Sequence, residues 1–133
     1  MGWRGDNGSA SVEIAVTAVF ILLVAVLIVE VGNVWYARVQ AEQAAGIAAR
    51  SAALHGRAAG EANGRSVMDS SGCFSSPTVV VHGGENRGSR VRAVATGNVR
   101  PRLSPWPSWA RGLESMRWTR VEAEAYSMRE GVQ

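Results

Sequence analysis

Lysine is missing from this chain: every basic Lys/Arg position, fourteen in 133 residues, is an arginine. No ε-amine is available for a Walker-type phosphate loop or a Schiff base, which excludes both chemistries. Cysteine is scarce. Cys73 is the only one, so no disulfide can close within the chain, and a lone thiol of this kind is expected to be buried. The two histidines, His55 and His82, stand far apart. His55 is expected on an exposed helix surface and His82 at a strand end. Neither has the convergent partners that a metal site or a catalytic triad needs, so no metal, no cofactor and no enzymatic activity are expected. Charge of one sign is not concentrated either. The arginines from Arg38 to Arg129 are interleaved with Glu42, Glu61, Glu85, Glu114, Glu122 and Glu124. That pattern lacks the basic stripe of a phosphate-tracking surface, so nucleic acid is not expected as a partner. Aromatics are few; Trp106, Trp109 and Trp118 form one cluster, read as core or membrane-contacting surface before ligand site.

What the chain does have is a long apolar run, Ile14–Val29, without a charge. Those residues alone span about 24 Å as a helix, and extension over 9–31 gives about 34 Å, enough for a hydrocarbon core of about 30 Å. Trp35 and Tyr36 follow at once and suit the headgroup level. Glu13 stands at the inner edge of the run and Glu30 at its outer edge. A carboxylate kept at the rim of a spanning helix costs free energy and points to use. Glu30 and Asn33 admit two readings: interfacial solvation, or contact with neighbouring subunits. A secretory signal peptide is the competing reading of the segment, with a cut near Tyr36-Ala37 or Ala41; the position of Glu13 and the length of the run oppose it. Arg4-Gly5-Asp6 and Asn7-Gly8-Ser9 match an adhesion tripeptide and a glycosylation acceptor, but both fall in or across the short polar leader and are discounted.

The residues Gly8-Ser9-Ala10-Ser11-Val12-Glu13, ahead of the apolar run, resemble the processing site of type IV prepilins and pseudopilins. The sequel, Glu30, Gly32, Tyr36 and Ala37 and then an alanine- and arginine-rich stretch, is similar to the TadE/TadF-like minor pseudopilins of tight-adherence (Flp-type) pilus systems. The resemblance covers roughly the first 55 residues. It implies cleavage by a prepilin peptidase between Gly8 and Ser9, leaving Glu13 fifth, with the new Ser9 amine methylated. It implies an inner-membrane protein of a single pass, N-terminus cytoplasmic and domain extracytoplasmic. Its implied partners are the peptidase, other pilus subunits and the tight-adherence assembly machinery. Ser9, Glu13, Glu30 and Tyr36 are its implied assembly residues. The Ser9 amine is the evident counter-charge for Glu13, in the same subunit or the next.

Downstream, Ala37–Ala59 reads as a continued helix of strong helix formers. Ala41, Ala45, Ala48 and Ala52 share one face, with Val39, Ile47 and Leu54 supplying larger apolar contacts. The face suits either a close-approaching partner or an ordinary alanine-rich helix. Gly56–Gly72 reads as a linker or loop on its glycines. Thr78–His82 and Arg90–Thr96 read as strands. Gly97-Asn98 suggests a bulge or turn, after which Val99–Leu103 resumes the strand, and prolines interrupt regular structure from Pro101 to Trp109. Arg117–Met128 alternates as a strand, although Val121, Ala125 and Met128 also fit a helix. The expected organisation is a cleaved leader (1–8), a transmembrane helix (9–36) and an extracytoplasmic domain (37–133), the last made of a helix (37–59), a loop (60–76) and a small sheet (77–128). The fold class is α+β: one long helix packed on a small antiparallel sheet, pilin-like. Two functions of different class follow: a structural minor pseudopilin, or a single-pass membrane-anchored binding or scaffold module that is never processed.

Overall fold

The structure, a computed structural model, describes residues 6–84, 88–100 and 120–129, with side chains described from Ala10 onward. Helix α1 runs unbroken over Asp6–His55, 50 residues, or about 75 Å at 1.5 Å per residue. Helix α2 is Arg57–Ser71. Strands β1 (Phe74–Gly83), β2 (Arg90–Val99) and β3 (Arg120–Met128) form an antiparallel sheet in the order β1-β2-β3. The class is α+β, as the sequence indicates.

The two halves of α1 are built on opposite rules. From Ile14 to Val29 the helix is apolar all round and exposed, with Ile14 at 70% and Ile28 at 66% of full accessibility. A helix apolar on every side is a helix meant for an apolar surround. From Ala37 onward only one face is apolar, and it is made of small side chains. Ala37, Ala41, Ala44, Ala45 and Ala48 are fully buried. This face carries β2 and β3, whose inward side chains are Val91, Ala93, Ala95, Val121 and Ala123. The larger residues expected to pack here do not: Ile47 and Leu54 are about half exposed, and Val39 is half-buried. Alanine alone lets the helix axis come close enough for the sheet to close over it.

The stretch expected as a loop, 60–76, is mostly helix, and the helix expected over 37–59 ends at His55. Gly56, in the left-handed region at φ 95°, turns the chain in a single residue, while its N–H still bonds to the Ala52 carbonyl at 3.0 Å. Gly60 and Gly64 then face α1. A Cβ on Gly60 would lie 2.5 Å from Ala52 Cβ and 2.6 Å from the Ala48 carbonyl oxygen. One on Gly64 would lie 2.8 Å from Ala48 Cβ. These glycines are contact residues, as small residues are wherever two helix backbones approach closely. Gly72, left-handed at φ 64°, ends α2.

The sheet begins three residues earlier than expected, at Phe74. Its irregularity lies across from Gly97, on β1. Ser75 pairs with Asn98 and Thr78 with Thr96, so Ser76 and Pro77 together oppose Gly97. Ser76 takes φ 56°, and Pro77 sits at a bulge in an edge strand, where its missing N–H does no harm. Gly97 itself stays in β2 because a Cβ there would lie 2.7 Å from the Phe74 ring. Residues 120–128 form a strand, with Val121 and Ala123 inward and Arg120, Glu122, Glu124 and Tyr126 outward. The Trp106, Trp109 and Trp118 cluster, the proline-rich stretch and Leu103 lie outside the described residues.

Candidate membrane and assembly segment

Gly8 and Ser9 lie in the first turns of α1, and Glu13, exposed, follows one turn later. No break separates this end from the domain; the same helix carries both. Over Ala10–His55 it contains an 18-residue window of mean hydropathy 3.0, none of it buried within the chain. It is long and apolar enough to cross a membrane.

The outer end is arranged differently from the solvation reading. Glu30 and Asn33 are each only 7% exposed. They lie on the stripe that continues through Ala37, Ala41, Ala44 and Ala48, at the i, i+3, i+4 spacing of one helix face. Asn33 Nδ2 donates to the Arg100 carbonyl, just past the end of β2, at 2.9 Å. Among the described residues no buried side-chain nitrogen or oxygen lacks a partner. The domain therefore folds down over the polar stripe and gives Asn33 its acceptor. Trp35 and Tyr36, on the outer flanks of the helix, remain 69% and 45% exposed.

Elsewhere the chemistry is local. Cys73 is buried, its Sγ 3.3 Å from the Ser71 carbonyl oxygen. His55 and His82 are exposed and lie on different elements. Among the described residues no three His, Cys, Asp or Glu side chains gather. Glu61, on α2, accepts from Arg57 Nε at 2.9 Å and from the Val81 backbone N–H of edge strand β1 at 3.2 Å. The Arg57 hydrogen bond, then the Val81 one, hold its carboxyl below the usual range. On the outer face of the sheet, Glu124 is held low by Arg92 and then by the Tyr126 hydroxyl. Arg92 is raised in turn by Glu124.

With this geometry in place, comparison with known families bears on the N-terminal third. Residues 8–50 match the family model for TadE-like protein. The TadE-like segment thus starts at Gly8 and takes in Glu13, the apolar run, Glu30, Gly32, Tyr36, Ala37 and the alanine face as far as Arg50. It stops before α2 and the sheet. No curated protein and no solved structure gave a match. What the TadE-like segment covers is the outward-facing apolar half of α1 together with most of the alanine face that holds the domain. The helix–helix contact at Gly60 and Gly64, the Asn33–Arg100 tie and the Glu61 cap on β1 were not anticipated. The one available signal was the four-residue spacing of Gly56, Gly60 and Gly64 beside an alanine face.

Proposed function

We propose that this chain is a minor pseudopilin, a structural or assembly component of a tight-adherence (Flp-type) pilus and not an enzyme. It enters the inner membrane with its N-terminus cytoplasmic. Prepilin peptidase cuts it between Gly8 and Ser9, and the apolar half of α1 then exchanges lipid for neighbouring subunit helices. Glu13 and the freed Ser9 amine form the charge pair that this bundle buries, and the amine is methylated. Tyr36, about half exposed, sits at the level where adjoining subunits meet, whereas Glu30 lies beneath the chain's own domain.

The observation that carries the reading is the single helix joining a TadE-like N-terminus to a packed domain. A signal-peptide cut at Ala37 or Ala41 would put the new terminus inside the packed face, since both residues are fully buried. It would also remove Asn33 from Arg100. Intact-mass measurement of the protein from its host tests the proposal. Loss of residues 1–8 is expected. An intact N-terminus would favour the unprocessed membrane anchor, and a start beyond Val31 would mean secretion.

A further inference from the structure

Just beyond the apolar run, α1 and β3 border an open groove of about 520 Å3, within the roughly 300–1,000 Å3 of small-ligand sites. Val31, Val34, Trp35 and Arg38 form its α1 wall, and Arg120 and Glu122 stand on its β3 wall. Its depth relative to a bilayer follows from the helix rise. With Glu13 at the inner boundary, about 20 residues cross a hydrocarbon core of about 30 Å, so the core ends near Val34. Arg38 lies about 6 Å further on, in the headgroup layer. The groove is therefore apolar where acyl chains begin and cationic where phosphates lie.

We propose that this groove holds the headgroup of an anionic phospholipid from the surrounding bilayer, with the phosphodiester between Arg38 and Arg120 and the first acyl carbons against Val31 and Val34. The inference rests on the membrane span proposed above. Charge complementarity selects the occupant. Within the groove's lining two arginines face one carboxylate, Glu122, an excess of one positive charge that matches a phosphodiester carrying one negative charge and an uncharged head; Glu42 draws on Arg38 from outside the lining. Arg38 is available for it. Its ion pair with Glu42, 3.3 Å and exposed on both sides, is of the kind that contributes little and exchanges readily. Trp35, 69% exposed, supplies the amphipathic ring that suits this depth.

The test uses the full chain in nanodiscs of equal phosphatidylglycerol, phosphatidylethanolamine and phosphatidylcholine, with retained lipids counted by native mass spectrometry. Phosphatidylglycerol should be retained preferentially. Arg38→Gln and Arg120→Gln should each lower that preference about fivefold, the effect expected of one arginine at an anionic surface, with helix content unchanged by circular dichroism. Glu122→Gln should raise it, and Arg65→Gln, on α2 away from the groove, should leave it alone. Equal retention of the three lipids, a preference for phosphatidylethanolamine, or an equal loss in Arg65→Gln would overturn the lipid site. Alkaline carbonate extraction separates this failure from that of the span. Protein released by carbonate overturns both; protein that resists carbonate yet shows no lipid preference overturns the groove alone.

Discussion

Adding one methyl group to Gly60 or to Gly46 should move stability in opposite directions, and the structure sets both signs. Both glycines lie in helices, where alanine is favoured by about 1 kcal/mol. At Gly46 nothing lies within 4 Å of the added Cβ, so Gly46→Ala should realise that gain. At Gly60 the added Cβ meets Ala52 Cβ at 2.5 Å and the Ala48 carbonyl oxygen at 2.6 Å. Neither neighbour is the end of a flexible side chain, so relief requires α2 to lift from α1. Overpacking of this kind costs about 1–3 kcal/mol, and the moving backbone puts it at the upper end. Net of the propensity gain, Gly60→Ala should destabilise by about 1–2 kcal/mol. For a domain of this size that lowers Tm by about 4–16 °C, while Gly46→Ala raises it by about 4–8 °C. Thermal unfolding followed by circular dichroism in one detergent reads both. A Gly60→Ala protein that melts at or above the wild-type temperature would refute the close α1–α2 contact.

If the chain is processed as proposed, Gly8→Val should leave the leader attached, because a small residue is needed at the cut; a mass unchanged from processed wild type would contradict this. Glu13→Gln should insert and be cleaved normally yet be missing from sheared pilus fractions, since the Ser9 amine would be buried without its partner at a cost of about 3–5 kcal/mol. Recovery at wild-type level would remove the assembly role given to Glu13. Glu61→Gln keeps an acceptor for Val81 N–H and loses the charge, so it should cost about 0.5 kcal/mol at pH 7, as exposed i, i+4 pairs do. Because the folded carboxyl is depressed from 4.5, that contribution is complete above about pH 4.5 and fades as pH falls through the lowered value. The Tm gap between wild type and Glu61→Gln should therefore close in acid, and a gap that is constant with pH would point away from the charge.

Much of this arrangement is readable from local pattern, and the exceptions have a common cause. The apolar run, the alanine face at Ala41, Ala45, Ala48 and Ala52, and the alternation in 90–96 and 120–128 each follow from the period of a single element. The turn at Gly56, the helix after it and the bulge opposite Gly97 depend on what lies across the contact. Glycine in 56–72 lowers helix propensity and so reads as loop. Here it is selected by the distance to α1, which no local rule contains. Asn33 is similar. Its polarity suggests solvent, and only the descent of β2 to Arg100 turns it inward. Ile47 and Leu54 err the other way: large apolar residues suggest core, but a helix seated on alanines leaves no room for them. Gly8 and Glu13 stand out in the sequence for a different reason. Their signal is a spacing along one helix, and it falls inside the TadE-like match.

The continuity of α1 links the two halves mechanically. Glu30, Asn33, Ala37 and Ala41 lie on one stripe, and the domain covers all four. Because the stripe is set by a rigid helix, the azimuth of the domain fixes which flank of the apolar half is left facing outward. Any contact made by the apolar half of α1 would then determine where the sheet points. A hinge at residues 30–37 would release this coupling, but the part-buried Asn33–Arg100 hydrogen bond and the fully buried Ala37 occupy that position. Losing this part-buried hydrogen bond would cost about 0.5–1.5 kcal/mol, so swivelling there is opposed by the fold itself. A chain built this way transmits orientation from the membrane-facing helix to the outer domain, which suits a subunit that must dock in one register and is unnecessary for a plain anchor.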